Sequence, residues 1–255
     1  MKRASAAKQQ VRPAHELPAG KLRVNMSNAL VTAAQRLSLA EKRVLSFAVA
    51  SLNTFSHNGD ADGGRVKLSA HKYAEQFGVD PDTAYDQLQA CAESIITKQV
   101  WWYEEAKRGL KKKQINWLGA AEYYKGEGTV SLWFTAQIAP HLLQLKGQFT
   151  TYQLAQASAL RSVYSWRLLE LLSQYQSTGW RQIDLDEFHH AMEVPPYVLK
   201  NFKDCRVGVI DPAVKELREK DGWLIEWTPI KTGRKVTALR FEFKRDPQAK
   251  LFDNA

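Results

Sequence analysis

The chain has 255 residues, 44% of them hydrophobic, and a formal net charge of +9. That length suits two domains of roughly 110 residues better than one large one. The positive charge suits a polyanionic partner, without by itself separating nucleic acid from an anionic membrane. No apolar run approaches the roughly 18 residues that a membrane span needs, and no secretory signal is visible at the N-terminus. A soluble cytoplasmic protein is expected. Cys91 and Cys205 cannot form a zinc cluster between them, and both fall in predicted helices, where a buried free thiol is expected.

Residues 1–24 read as a disordered basic tail. Six basic residues between Met1 and Arg23 face one acid, Glu16, and Pro13 and Pro18 interrupt any regular element. Asn28 to Leu52 is strongly helical, and Ser38 with Glu41 forms a capping box, so two helices should meet near Leu37–Ser38. Leu30, Leu37 and Val44 recur seven apart. They suit either the first domain's own core or a surface on which two copies pair. Asn58 to Gly64 is a polar loop.

Ser69 to Val79 reads as the first helix of a helix-turn-helix, with Ser69 as its cap. Gly78 to Pro81 is the turn, and Asp82 to Lys98 the second helix. The start of that second helix carries Asp80, Asp82 and Asp86, poor chemistry for approaching phosphates. This domain should therefore dock more than it reads bases. Gln99 to Glu104 and Gln114 to Tyr124 read as strands joined by a loop. That loop holds Lys107, Arg108, Lys111, Lys112 and Lys113, a strong phosphate-binding signal. Thr129 to Phe134 is a third strand, and Ala139 to Leu145 a short helix. The first domain is expected to span 25–148.

The second domain is expected over 149–246, with a flexible tail at 247–255. The leucines between Leu154 and Leu172 form a long apolar surface, and Trp166 beside them reads as core. Ile183 to Glu193 reads as a helix capped by Asp184. Pro195–Pro196 forces a turn, and a helix follows in which Lys200, Lys203 and Arg206 fall three residues apart. Asp211–Pro212 should kink it. Alternation then gives a hairpin from Trp223 to Phe243, with Lys231, Arg234 and Lys235 crowded at its tip. A basic helix followed by a hairpin with a basic tip is the layout of a winged helix-turn-helix, whose helix enters a major groove. The expected fold is α+β, with two such domains in tandem.

Signals for catalysis are weak. His189 and His190 are adjacent on a predicted helix, about 100° apart around its axis, and cannot easily share a metal. The sequence offers no phosphate-binding glycine loop, acidic metal cluster or nucleophile triad. A DNA-nicking enzyme is disfavoured, and no cofactor or metal is expected.

Several segments, taken in order, resemble the initiator replication proteins of iteron-containing plasmids. They are Asn28-Ala-Leu30 with Leu39-Ala-Glu-Lys-Arg43, Phe149-Thr-Thr-Tyr152, Ser162 to Leu172, Asn201-Phe-Lys-Asp204, Val209 to Leu217, and Gly233-Arg-Lys-Val236 before Phe241-Glu-Phe243. The resemblance covers about Asn25 to Arg245. It departs at Val207 and Gly208, where many members carry further basic residues. The resemblance implies tandem winged helices about one helical turn apart on one face of the duplex. It also implies a monomer that binds repeated origin sites and a dimer that represses its own gene through an inverted repeat. Opening of an adjacent AT-rich region, and host initiator, helicase and chaperone partners, are implied by it too. A dimeric repressor with no initiation role is the alternative. In the second domain Lys200, Asn201, Lys203 and Arg206 are expected to read the duplex, and Lys231, Arg234 and Lys235 to bind phosphates.

Overall fold

The computed structural model describes residues 22–52, 64–143 and 148–246. The basic tail before Leu22, most of the loop at 58–64, the end of the short helix at 144–145 and the tail at 247–255 lie outside them. The first unit begins with β1 (Arg23–Ser27), α1 (Asn28–Thr32) and α2 (Leu39–Ser51). Ser38 and Glu41 form the reciprocal capping box that starts α2. Then come β2 (Arg65–Ser69), α3 (Ala70–Phe77) and α4 (Pro81–Ile95). Gly78 closes α3 at φ 61°, a left-handed position that glycine adopts without a Cβ clash. Asp80 caps α4 by accepting from the Asp82 N–H, and Pro81 takes the first turn. Ser69 precedes α3 but makes no side-chain cap bond.

The strands β3 (Gln99–Ala106), β4 (Gly109–Asn116), β5 (Leu118–Tyr124) and β6 (Thr129–Phe134) complete the unit with α5 (Ala139–Leu142). β2, β6 and β5 form a three-stranded sheet, and β3 pairs with β4 in a separate hairpin. The sequence reading of 107–113 as one loop is corrected here. Only Lys107 and Arg108 form the turn, while Lys111, Lys112 and Lys113 lie within β4, opposite Glu104, Tyr103 and Trp102. Alternation is hard to see in β4 because the consecutive lysines at 111–113 put cations on both of its faces.

β7 (Phe149–Gln153) pairs antiparallel with β1, Met26 facing Thr150. The chain at 149 therefore still belongs to the first unit's framework, and the boundary expected at 148 falls too early. Leu22 and Val24 are buried, so the tail also ends sooner than residue 24. α6 (Leu154–Ser158) and α7 (Val163–Ser173) follow, then β8 (Trp180–Asp184) and α8 (Leu185–Met192). The helix expected from Ile183 starts two residues later, because Ile183 pairs with Leu239 in a sheet.

The helix after the proline turn is α9 (Phe202–Cys205), a widened stretch Arg206–Ile210, and α10 (Asp211–Asp221). The Asp211 N–H donates to the Arg206 carbonyl, five residues back. Pro212 has no N–H to continue the four-residue ladder, and the helix absorbs the gap by opening one turn rather than by breaking. β9 (Trp223–Thr232) and β10 (Lys235–Arg245) form the hairpin, joined through Gly233 at φ 63°. Phe241 faces Trp227 and Phe243 faces Ile225, and Trp223, Ile225, Leu239, Phe241 and Phe243 are buried. Each unit thus has helices against a small sheet, with a helix-turn-helix followed by a hairpin.

α7 joins the two units through a buried knot of charge. Glu170 accepts from Lys42 Nζ at 2.7 Å, from Arg167 Nη1 at 2.7 Å and from the Tyr152 hydroxyl at 2.9 Å. Arg167 Nη2 donates to the carbonyls of Val31 and Ala33, and its Nε to that of Ala191, all within 2.9 Å. One guanidinium thus ties the end of α1 to the end of α8. Burial pushes the Lys42 ammonium down to about 8 against the pull of Glu170. Burial pushes Glu170 up, but Lys42 and Arg167 outweigh it and hold the carboxyl below its ordinary value. Nearby, Arg36 and Glu193 both sit at φ 53°. The Glu193 carboxylate accepts the Arg36 N–H at 2.7 and 3.0 Å, so two unfavourable backbone conformations support each other across the joint.

Leu30, Leu37 and Val44, considered as a pairing surface, are 0%, 7% and 0% exposed. Their side chains are consumed by the chain's own core. They offer nothing to a second copy unless the domain rearranges.

Candidate nucleic-acid interface

Asn201 begins the second helix of the second unit's helix-turn-helix, the one expected to read the duplex. Its side-chain oxygen accepts the Lys203 N–H at 3.0 Å, so the carbonyl end serves as a cap and the amide N–H₂ is left to face outward. Lys200 is exposed in the turn just before the helix, and Lys203 is exposed on its first turn. Arg206 is exposed at the start of the widened stretch, where its Nε donates to Asp211 at 3.0 Å. Asp211 also accepts from the Trp227 indole at 3.2 Å. One carboxylate therefore aims Arg206 and ties the helix to the hairpin. Sequence reading missed this role for Asp211 because its partners lie five residues behind and sixteen ahead.

Lys231, Arg234 and Lys235 are all exposed around the β9–β10 turn. A hairpin tip reaches a phosphate more readily than a base edge. Together the helix and hairpin cations form one exposed basic set on the second unit. The first unit differs. Its α4 begins with exposed Asp80, Asp82 and Asp86, and its cations stand on β3–β4 instead. Of these, Lys113 is paired to Glu104 at 2.7 Å and lies over Trp102. Lys112 stands 4.5 Å over Trp101. Lys107, Arg108 and Lys111 are exposed at the outer end of the hairpin. The expected five-cation cluster therefore separates into an outward group and a pair already engaged with aromatic rings.

The base of that hairpin touches the second unit. The Trp101 and His190 rings are 4.3 Å apart, edge to face, and burial lowers the pKa of both His189 and His190. His190 is a packing group at the joint, and the His189 ring lies beside Phe188 within its own unit. Among the described residues, no group of His, Cys, Asp and Glu is arranged to hold a metal ion. No described helix is long and apolar enough to cross a membrane. Cys91 and Cys205 are buried free thiols, each pushed up to about 11 by burial.

Comparison with known proteins gives the same two units. The family described as "Initiator Replication protein, WH1" matches residues 23–173, and "Initiator Rep protein, WH2" matches 184–243. The chain belongs to the initiator replication protein family. The first match ends at the close of α7, which agrees with the β1–β7 pairing and with α7 as the connecting helix. The PI protein of Escherichia coli is 25% identical over 258 aligned positions, covering 89% of this chain and 84% of the relative. An Escherichia coli protein named only by its mass, 27.6 kDa, is 26% identical, covering 84% of this chain and 92% of the relative. In three dimensions the chain is similar to the Pi initiator protein crystallised with iteron DNA. The TM-score is 0.73 at 24% identity, over 89% of this chain and 99% of the other. That likeness supports the fold: two winged helix-turn-helix units in tandem.

Proposed function

We propose that this initiator binds repeated origin sequences, iterons, in double-stranded DNA as a monomer, and represses its own gene as a dimer on an inverted repeat. The observation that carries the reading is the exposed basic set of the second unit. Lys200, Asn201, Lys203 and Arg206 stand on the reading helix, and Lys231, Arg234 and Lys235 on the hairpin tip. The helix would enter the major groove, and the tip would hold the neighbouring backbone. Lys107, Arg108 and Lys111 of the first unit would add phosphate contacts away from the reading helix. Host initiator, helicase and chaperones are the partners this role calls for, in the cytoplasm, with no chemical step by this chain itself.

A relative solved with iteron DNA supports the choice of ligand. A footprint on DNA flanking the gene tests the reading. Protection of direct repeats supports initiation. Protection of a lone inverted repeat leaves a repressor only, and strand cleavage would overturn the non-enzymatic reading.

A further inference from the structure

Gly208 lies in the widened stretch of the reading helix, and a Cβ placed there would meet no protein atom within 4 Å. Packing within the chain therefore does not require glycine at this position. Glycine in a helix interior is less favourable than alanine, and no steric need of the fold calls for it here. The preceding residue, Val207, is 59% exposed, an apolar side chain on a stretch whose other outward groups include Asn201, Lys203, Asp204 and Arg206, with Tyr197, Leu199 and Lys200 exposed just before the helix. Beside it lies an open recess of about 370 Å³, lined by Tyr164, Tyr197, Val198, Asp204 and Gly208 among others. An unneeded glycine next to an exposed valine makes sense if something outside the chain comes close at this point.

We propose that Val207 reads a thymine. Its methyl groups meet the C5-methyl of a thymine in the major groove, and Gly208 lets the helix backbone approach closely enough for that contact. The inference rests on the reading of this helix as the one that enters the groove. Apolar contact is the only means of recognising that methyl, and it separates thymine from cytosine at the same edge. Tyr197 and Leu199 are exposed nearby as well, but Lys200, Lys203 and Arg206 surround this apolar ground with positive charge, which favours DNA over an apolar protein partner. Asp204, which lines the recess beside the valine, favours a base edge over a phosphate at that point. A carboxylate repels phosphate but accepts a hydrogen bond from a base amino group.

The test uses the full chain and a duplex that it selects from a random-sequence pool. Each thymine of the selected site is replaced in turn by deoxyuridine, which removes only the methyl group. Wild-type protein should lose roughly 4-fold in affinity at one position, the worth of one buried methyl group. Val207→Ala should bind the thymine duplex about that much more weakly and lose its sensitivity to deoxyuridine there. Gly208→Leu should keep its melting temperature and lose at least 10-fold on the selected site. Three results would overturn the proposal. One is a Val207→Ala variant that keeps the full deoxyuridine penalty. Another is a Gly208→Leu variant that binds normally, which removes the close approach. The third is a wild-type protein that enriches no sequence, which also defeats the underlying reading, whereas the first two leave that reading intact.

Discussion

The two helix-turn-helix units share an architecture and differ in electrostatics. Both turn after a left-handed residue, Gly78 in the first and Glu193 in the second, each near φ 60°. The first unit's second helix then starts on Asp80, Asp82 and Asp86. The second unit's starts on Asn201 and carries Lys203 and Arg206, against the single acid Asp204. A helix N-terminus already attracts anions through its unpaired N–H groups. Aspartates at α4 consume that attraction internally, with Asp80 accepting from the Asp82 N–H at 2.8 Å. In the second unit a neutral asparagine makes the same cap, so the first turn carries one carboxylate, Asp204, beside Lys203 rather than aspartates alone. One fold can therefore be turned towards or away from phosphate by the side chains of its first helical turn.

The contrast matters only if both units act as one body, and the largest predicted effect addresses that. Glu170→Gln leaves Lys42 and Arg167 buried without their counter-charge, and should cost about 3–5 kcal/mol of stability. Urea unfolding measures it. A loss under about 1 kcal/mol would mean that the joint opens and lets water in. Val44→Asn places an amide at a fully buried site and should cost about 2–3 kcal/mol. If it instead remains folded and sediments with a changed dimer fraction, the first unit has a second arrangement in which Val44 is exposed.

The hairpin tip sharpens the comparison from the other side. Replacing Lys231, Arg234 and Lys235 by Ala should weaken binding about equally on every duplex and flatten the slope of log K against log salt by roughly 2–3 units. A changed site preference at unchanged slope would make the tip a base reader. Arg206→Ala should cost about 1–3 kcal/mol on the cognate site and much less on random DNA. An equal loss on both would reduce Arg206 to a phosphate contact. The smallest effect is expected from Asp82→Lys with Asp86→Lys. If α4 lies away from the duplex, affinity should rise only a few-fold, through long-range attraction that disappears by about 0.5 M salt. A rise of 100-fold would put α4 against the backbone and erase the difference between the two units.

Much of this arrangement was legible in the sequence because it is local. Gly78 to Pro81, Pro195–Pro196 and the Ser38–Glu41 box each act within a few residues, and the β9–β10 alternation carries its own register. The pairing of β1 with β7 has no such signal. Asn25 and Thr151 meet by a 2.6 Å hydrogen bond across 126 residues. The charge knot was hidden for a related reason. Arg167 and Glu170 interrupt an otherwise leucine-rich helix, but the second cation on Glu170, the Lys42 ammonium, comes from α2. The basic segment at 107–113 was found, yet which of its lysines face solvent depended on Trp101 and Trp102 across the hairpin. Composition could not reveal that.

The knot around Arg167 also bears on how such initiators can diversify. Two winged helices joined only by a stretch of chain could be exchanged between relatives as separate cassettes. Here Lys42 and the carbonyls of Val31 and Ala33 come from the first unit, the Ala191 carbonyl from the second, and Arg167 and Glu170 from the helix between them. A hybrid that takes one side alone inherits a bare ion or an empty carbonyl at its centre. Recombination between such genes would then be tolerated within either unit's outer surface and selected against at the joint, so new specificities would arise by side-chain replacement more readily than by swapping halves.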